Sequence, residues 1–190
     1  MRKTVILSLG LLVLGTPALA NMLVNGDFEQ PLDVGWTEDV RHAAGNALFE
    51  RTDTMGQPEP GHAARVYKYL AYHASLMQVV DVPNAYHALE FDGRFRIAGG
   101  SSTCWPTAAL IVSYLDDADA ELGSTMFILR NQFNTWRESD TLHFVDIQVP
   151  SVWEHYELDI SQEVADHLPG VNALDVRKLK LQLFSYCNGT

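Results

Sequence analysis

Short segments of alternating hydrophobic and polar residues recur along most of the chain. The clearest covers residues 88–97, where apolar side chains alternate with acidic and basic ones. A period of two predicts a β-strand with one buried face and one solvent face. Residues 152–160 and 178–183 repeat the pattern. Further strands are predicted at 47–51, 63–69, 76–82, 108–115, 124–129 and 142–149.

Only one helix is predicted. Asp159 is a candidate N-cap for a short helix over 161–167, and Pro169-Gly170 ends it. Many short strands with so little helix favour an all-β fold, a two-sheet antiparallel sandwich. No repeat or linker divides residues 21–190, which we therefore predict to form a single domain.

Residues 1–20 have the features of a secretory signal peptide. Arg2 and Lys3 form a basic start, an apolar run follows, and Ala18-Leu19-Ala20 is a small-residue cleavage site. We therefore predict cleavage after Ala20. The mature protein is then expected to be exported, to the periplasm or outside the cell.

The net charge of the chain limits the classes of partner that it can bind. The formal net charge is −11, and removal of Arg2 and Lys3 with the leader makes the mature chain −13. The phosphates of nucleic acid repel such a surface, so no nucleic-acid partner is predicted. No second apolar stretch follows the leader, so we expect no membrane insertion. We expect a monomer.

Two cysteines, Cys104 and Cys187, belong to the mature chain. An exported protein meets an oxidising compartment, so a disulfide between them is predicted. This bridge would close a loop of about 80 residues and add about 4 kcal/mol of stability in the chain-entropy model. A catalytic thiol is the alternative, but neither cysteine has a histidine near it in the sequence.

A series of motifs follows the leader in a recognisable order. Asn25-Gly26-Asp27-Phe28-Glu29 comes first, then Trp36, then QVVDVP at 78–83 and LEFDGR at 89–94. The series resembles the galactose-binding-like jelly-roll modules, which include many carbohydrate-binding modules of secreted bacterial glycoside hydrolases. The resemblance covers essentially all of the mature chain and implies a jelly-roll sandwich. Many functions share this fold, so the ligand remains open.

The end of the sequence departs from the family pattern. Family members usually close with a strand bearing an Asp-Asp/Asn-Val motif that helps to ligate a structural calcium ion. Here residues 185–190 read as a turn where that strand would begin. We therefore expect the sequence to lack its last strand.

The opening motif is the candidate calcium site. The resemblance implies that Glu29 is a side-chain ligand, and Asp27 lies on the same side of an extended segment. Asp53 is a weaker third candidate. Calcium takes six to eight oxygen ligands, which include carboxylates. Alternatively, Asn25 to Asp27 only form a turn while Phe28 enters the core, so calcium is left open.

Tryptophans outside the core are the candidate sugar platforms, because flat aromatic faces pack against pyranose rings. The resemblance places Trp36 in the core. Trp105 follows a Gly/Ser-rich loop, and Trp136 lies in a polar run over 130–140. Both are predicted to bind ligand, although each could instead be a packing residue.

Basic residues supply a second candidate contact with sugar. Arg94 and Arg96 lie on the polar face of the 88–97 strand, and Gln182 is expected near them. Such a strip could hold a uronic acid by bidentate hydrogen bonds. The alternative is cross-strand pairing with Glu90 or Asp92.

Catalytic motifs are weak. The histidines show no His-x-His or His-Glu-x-x-His spacing, no Gly-x-Ser-x-Gly sequence occurs, and 24 acidic residues single out no pair. We therefore predict a secreted, non-catalytic module that binds a polysaccharide or glycan. The alternatives are a structural or adhesive surface protein that binds proteins, and a jelly-roll polysaccharide lyase or hydrolase.

Overall fold

A computed structural model describes residues 22–41, 45–58, 60–70 and 72–188. The predicted signal peptide at 1–20 lies outside these residues. The described part contains the strands β1 Thr37–Arg41, β2 Ala47–Thr52, β3 Ala63–Lys68, β4 Tyr72–Asp81, β5 Ala88–Gly93, β6 Pro106–Leu115, β7 Glu121–Arg130, β8 Leu142–Asp146, β9 Glu154–Asp159 and β10 Lys178–Cys187. It also contains the α-helix α1, Ile160–His167, and a 3-10 turn at Ala173–Asp175. No helix of the described residues has the length and apolarity needed to span a membrane.

The strands form two layers. Six of them make one large sheet in the order β1-β4-β10-β6-β7-β8. The second layer consists of two separate pairs, β2–β3 and β5–β9. Every pairing is antiparallel except β7–β8, which is parallel because the chain crosses over through residues 131–141 before β8 begins.

The core lies between the layers because the alternation along each strand turns one apolar face inward. The large sheet contributes Leu76, Val112 and Phe127, each at most 3% exposed. Phe91 of β5 meets Phe127 edge to face at 5.0 Å between ring centroids. Tyr156 of β9 stacks on Phe91 and closes this part of the core.

The predicted fold class is confirmed: the chain is an all-β jelly-roll-type sandwich with one short helix. The helix predicted over 161–167 is α1. Its N-cap is Asp159, whose carboxylate accepts a hydrogen bond from the Gln162 amide. That bond also lowers the pKa of Asp159.

Two local predictions were wrong. No strand was predicted at β1, because this edge strand is mostly exposed and its sequence, TEDVR, has no apolar face. Residues 185–187 were interpreted as a turn, but they continue β10. Ser185 pairs with Ala74 on one side and Ala108 on the other. Backbone hydrogen bonds from two neighbouring strands outweigh the local turn preference.

Candidate functional site

The opening motif forms a turn that is held by buried amides. Asn25 has a positive φ of 52° and its carbonyl accepts a hydrogen bond from the Trp36 indole at 3.2 Å. Gln78 donates to the Gly35 carbonyl at 2.8 Å. Phe28 packs against Trp36, with ring centroids 5.4 Å apart. Asn25 and Phe28 therefore have structural roles, and Trp36, 6% exposed, lies in the core.

Two of the three candidate calcium ligands meet at a histidine. Glu29 lies 2.9 Å from His62 Nδ1, and Asp53 lies 3.5 Å from His62 Nε2. Asp27 is engaged differently, since its carboxylate accepts the backbone N–H of Glu29. Glu29 and Asp53 therefore share His62 as a partner, and their role as calcium ligands stays a prediction.

Arg51 supplies a positive charge at this corner. Its guanidinium donates to the carbonyls of Phe28, at 2.6 Å, and Glu29, at 3.0 Å, and it pairs with the Asp53 carboxylate. A calcium ion would need these same oxygens, but Arg51 and His62 already bond to them. Calcium would therefore have to displace Arg51 and His62 from these oxygens, and calcium binding stays a prediction.

Aromatic side chains cover part of the outer face of the large sheet, the face away from the main core. The alternation along β10 places Gln182, Phe184 and Tyr186 on this face. Trp105, directly before β6, and Trp136, in the loop between β7 and β8, lie 5.4 and 5.2 Å from Tyr186 between ring centroids. We call Trp105, Trp136, Phe184 and Tyr186 the aromatic face.

The aromatic face rests on a small hydrophobic cluster of its own. Trp136 and Phe184 pack against four buried residues of β6, β7 and β8, which are Ala109, Met126, Ile128 and Phe144. Trp105 meets Trp136 with perpendicular ring planes at 5.9 Å. All four rings of the aromatic face are half-buried, so each keeps part of its surface in solvent.

Polar and aromatic groups extend the aromatic face toward β4. Tyr72, 42% exposed, lies 6.3 Å from Tyr186 between ring centroids. Burial, with smaller effects from Tyr72 and Cys187, raises the pKa of Tyr186. Its hydroxyl is therefore neutral at pH 7 and able to donate a hydrogen bond. Gln182, the predicted polar contact, joins the same face through β10.

The basic side chains beside the aromatic face are already engaged. Lys180 pairs with Glu121 at 2.9 Å, and Arg130 binds Asp146 through two hydrogen bonds of 3.0 and 3.2 Å. Arg137 donates to the Trp136 carbonyl at 2.9 Å. Carboxylates thus offset the charges of Lys180 and Arg130, whereas Arg137 keeps its charge.

Arg94 and Arg96 lie elsewhere, which corrects the prediction that Gln182 is near them. Both follow β5, which pairs with β9 in the second layer and does not join the large sheet. Both side chains are exposed. The Arg94 guanidinium carbon lies 5.2 Å from the centre of the Trp153 ring, where it makes a cation–π contact.

The two cysteines meet at the edge of the aromatic face. Their Sγ atoms are 3.1 Å apart, although the residues are 83 positions apart in sequence. Cys104 precedes Trp105, and Cys187 follows Tyr186. The predicted disulfide stays a prediction, and this proximity supports it.

One cluster was missed by the sequence analysis. His143 of β8 lies beside Glu163 and His167 of α1, and their ligand atoms are all within 4.8 Å of one another. The sequence could have placed two of the three residues together, because Glu163 and His167 are four residues apart and share a helix face. His143 lies 20 residues earlier, so no short motif joins the three.

Comparison with known proteins gives a distant likeness to a solved structure. No protein-family model matches the chain, and no curated protein matches it. Among solved structures, the chain is similar to the family 11 carbohydrate-binding module from Clostridium thermocellum in complex with a β-1,3-1,4-mixed-linked tetrasaccharide. The identity is 11%, the match covers 86% of this chain and 89% of the module, and the TM-score is 0.40. Such a likeness does not bear on the ligand.

Proposed function

We propose that the protein is an exported, non-catalytic glycan-binding protein that holds its ligand on the aromatic face. The observation that carries the proposal is the group of half-buried rings at Trp105, Trp136, Phe184 and Tyr186 on a rigid sheet. Flat rings with one side in solvent can pack against the C–H faces of pyranose units. The hydroxyl of Tyr186 and the amide of Gln182 supply hydrogen bonds for sugar hydroxyls.

The charges beside the aromatic face favour a neutral glycan. Lys180 and Arg130 already pair with carboxylates, and Arg137 bonds to a backbone carbonyl. A uronic acid would have to displace these partners, and a chain of net charge −11 repels acidic polymers. The paired charges therefore favour a neutral glycan over the uronic acid, the ligand that Arg94 and Arg96 suggested.

Affinity electrophoresis tests the proposal. The mature protein is run in native gels that contain a neutral glucan, a neutral galactan or a uronate polymer. We expect retardation by at least one neutral polymer and none by the uronate polymer, because Lys180 and Arg130 beside the aromatic face already pair with carboxylates. Retardation by the uronate polymer alone would assign binding to Arg94 and Arg96, and migration unchanged in every gel would contradict glycan binding.

A further inference from the structure

A second polar site lies where α1 packs against β8. Glu163 is 8% exposed, and its Oε1 lies 2.6 Å from Nδ1 of His143. The His143 and His167 rings stack 4.0 Å apart with nearly parallel planes. His167 is exposed, whereas His143 is half-buried. Two imidazoles and a buried carboxylate thus converge at a place that opens to solvent on one side.

Neighbouring side chains hold these groups in place. Thr125 of β7 donates its hydroxyl to Glu163 Oε1 at 2.7 Å, and Tyr114 of β6 lies 2.8 Å from the same hydroxyl. Both Tyr114 and Thr125 are fully buried. On the other side of His143, the Glu138 carboxylate lies 3.6 Å from Nε2. Outer partners of this kind orient metal ligands and set the histidine tautomer.

We propose that His143, Glu163 and His167 bind one divalent transition-metal ion of the zinc class. Imidazole nitrogen and carboxylate oxygen together suit zinc and its neighbours, while calcium and magnesium prefer oxygen donors alone. Three protein ligands leave a fourth position, which faces solvent beside His167. The ion would join α1 to the edge strand β8.

Binding requires His167 to move. Zinc ligands in a tetrahedral site lie about 3.3 Å apart, whereas His143 Nδ1 and Glu163 Oε1 are 2.6 Å apart and share a hydrogen bond that must open. A metal also lies in the plane of each imidazole that binds it, so the two rings cannot stay stacked. His167 can turn because it is exposed at the last turn of α1. His143 and Glu163 need only the small shift that separates Nδ1 from Oε1.

Zinc titration of the mature chain without a histidine tag tests the proposal. We expect one Zn²⁺ per chain, measured by competition with a chromogenic chelator, and a visible spectrum of tetrahedral Co²⁺ when cobalt replaces zinc. Ca²⁺ and Mg²⁺ in excess should not displace the ion. In NMR spectra, Zn²⁺ should shift the ring signals of His143 and His167 but not those of His73.

Variants separate this site from the other histidines. His167→Ala removes an exposed ligand and should weaken zinc binding by more than 100-fold, beyond what loss of an outer-shell partner costs. Thr125→Val should weaken it by about 10-fold, because Glu163 loses its positioning hydrogen bond. His155→Ala is the matched control, since exposed His155 pairs with Asp92 in the other layer. Absence of one-to-one binding, or equal affinity in His167→Ala and the wild type, would overturn the proposal.

Discussion

Replacement of Trp136 by alanine is expected to lower the affinity for the glycan by about 30-fold or more, the loss typical of a tryptophan at the centre of a binding surface. Trp136 has this position because it contacts Trp105, Phe184 and Tyr186 at once. Its ring also packs on the hydrophobic cluster beneath it, so little conformational entropy is lost when a sugar stacks on it. Isothermal titration with the polymer that retards the protein in gels measures the effect.

Trp153→Ala is the control for this variant. Trp153 is half-buried like Trp136 but lies in the second layer beneath Arg94, so its loss should leave the affinity unchanged. Thermal unfolding of both variants shows whether they stay folded, and Trp136→Phe should recover part of the binding. Full affinity in Trp136→Ala would contradict binding on the aromatic face. A loss of affinity in Trp153→Ala alone would indicate that the binding site lies in the other layer.

Reduction of the oxidised protein is expected to lower its unfolding free energy by about 4 kcal/mol, because a bridge between Cys104 and Cys187 closes a long loop. For a chain of this size the melting temperature should fall by about 8 to 16 °C. Thermal melts with and without reductant measure the change. The double variant Cys104→Ser/Cys187→Ser should melt at the lower temperature in both conditions.

The bridge should also affect glycan binding. Cys104 and Cys187 adjoin Trp105 and Tyr186, so a bond between them fixes two rings of the aromatic face relative to each other. We therefore expect the reduced protein to bind glycan more weakly even at temperatures where it stays folded. A melting temperature that does not respond to reductant would contradict the disulfide, and an unchanged glycan affinity would contradict this coupling.

The sandwich was predictable because its strands bury one face each. In segments such as 88–97 and 178–183, apolar and polar residues alternate with a period of two, because one face of the strand lies in the core and the other in solvent. The parallel pairing of β8 was not predictable, because register and direction are set by the crossover through residues 131–141 and not by the strand's own five residues. The exposed strand β1 likewise has no apolar pattern to detect.

The sequence pointed to some members of the candidate site, Trp105, Trp136 and Gln182, but not to Phe184 or Tyr186 and not to their arrangement. The sequence places Trp105 and Trp136 in loops, but it does not show that the two rings meet each other and that both lie against Tyr186 of β10. Arg94 was assigned to the same site because a sequence does not show which layer a strand joins. The cluster of His143, Glu163 and His167 was not predicted, because a sequence does not show that the strand β8 and the helix α1 come together in the fold.

The indole N–H signals of the protein give the most direct test of the central claim, that the aromatic face binds a neutral glycan. The chain has four tryptophans, and each has one indole N–H group that an NMR spectrum can follow. Titration with oligosaccharides of the bound polymer should shift the signals of Trp105 and Trp136 and leave those of Trp36 and Trp153 in place. A shift of the Trp153 signal with Trp105 and Trp136 unmoved would contradict the account.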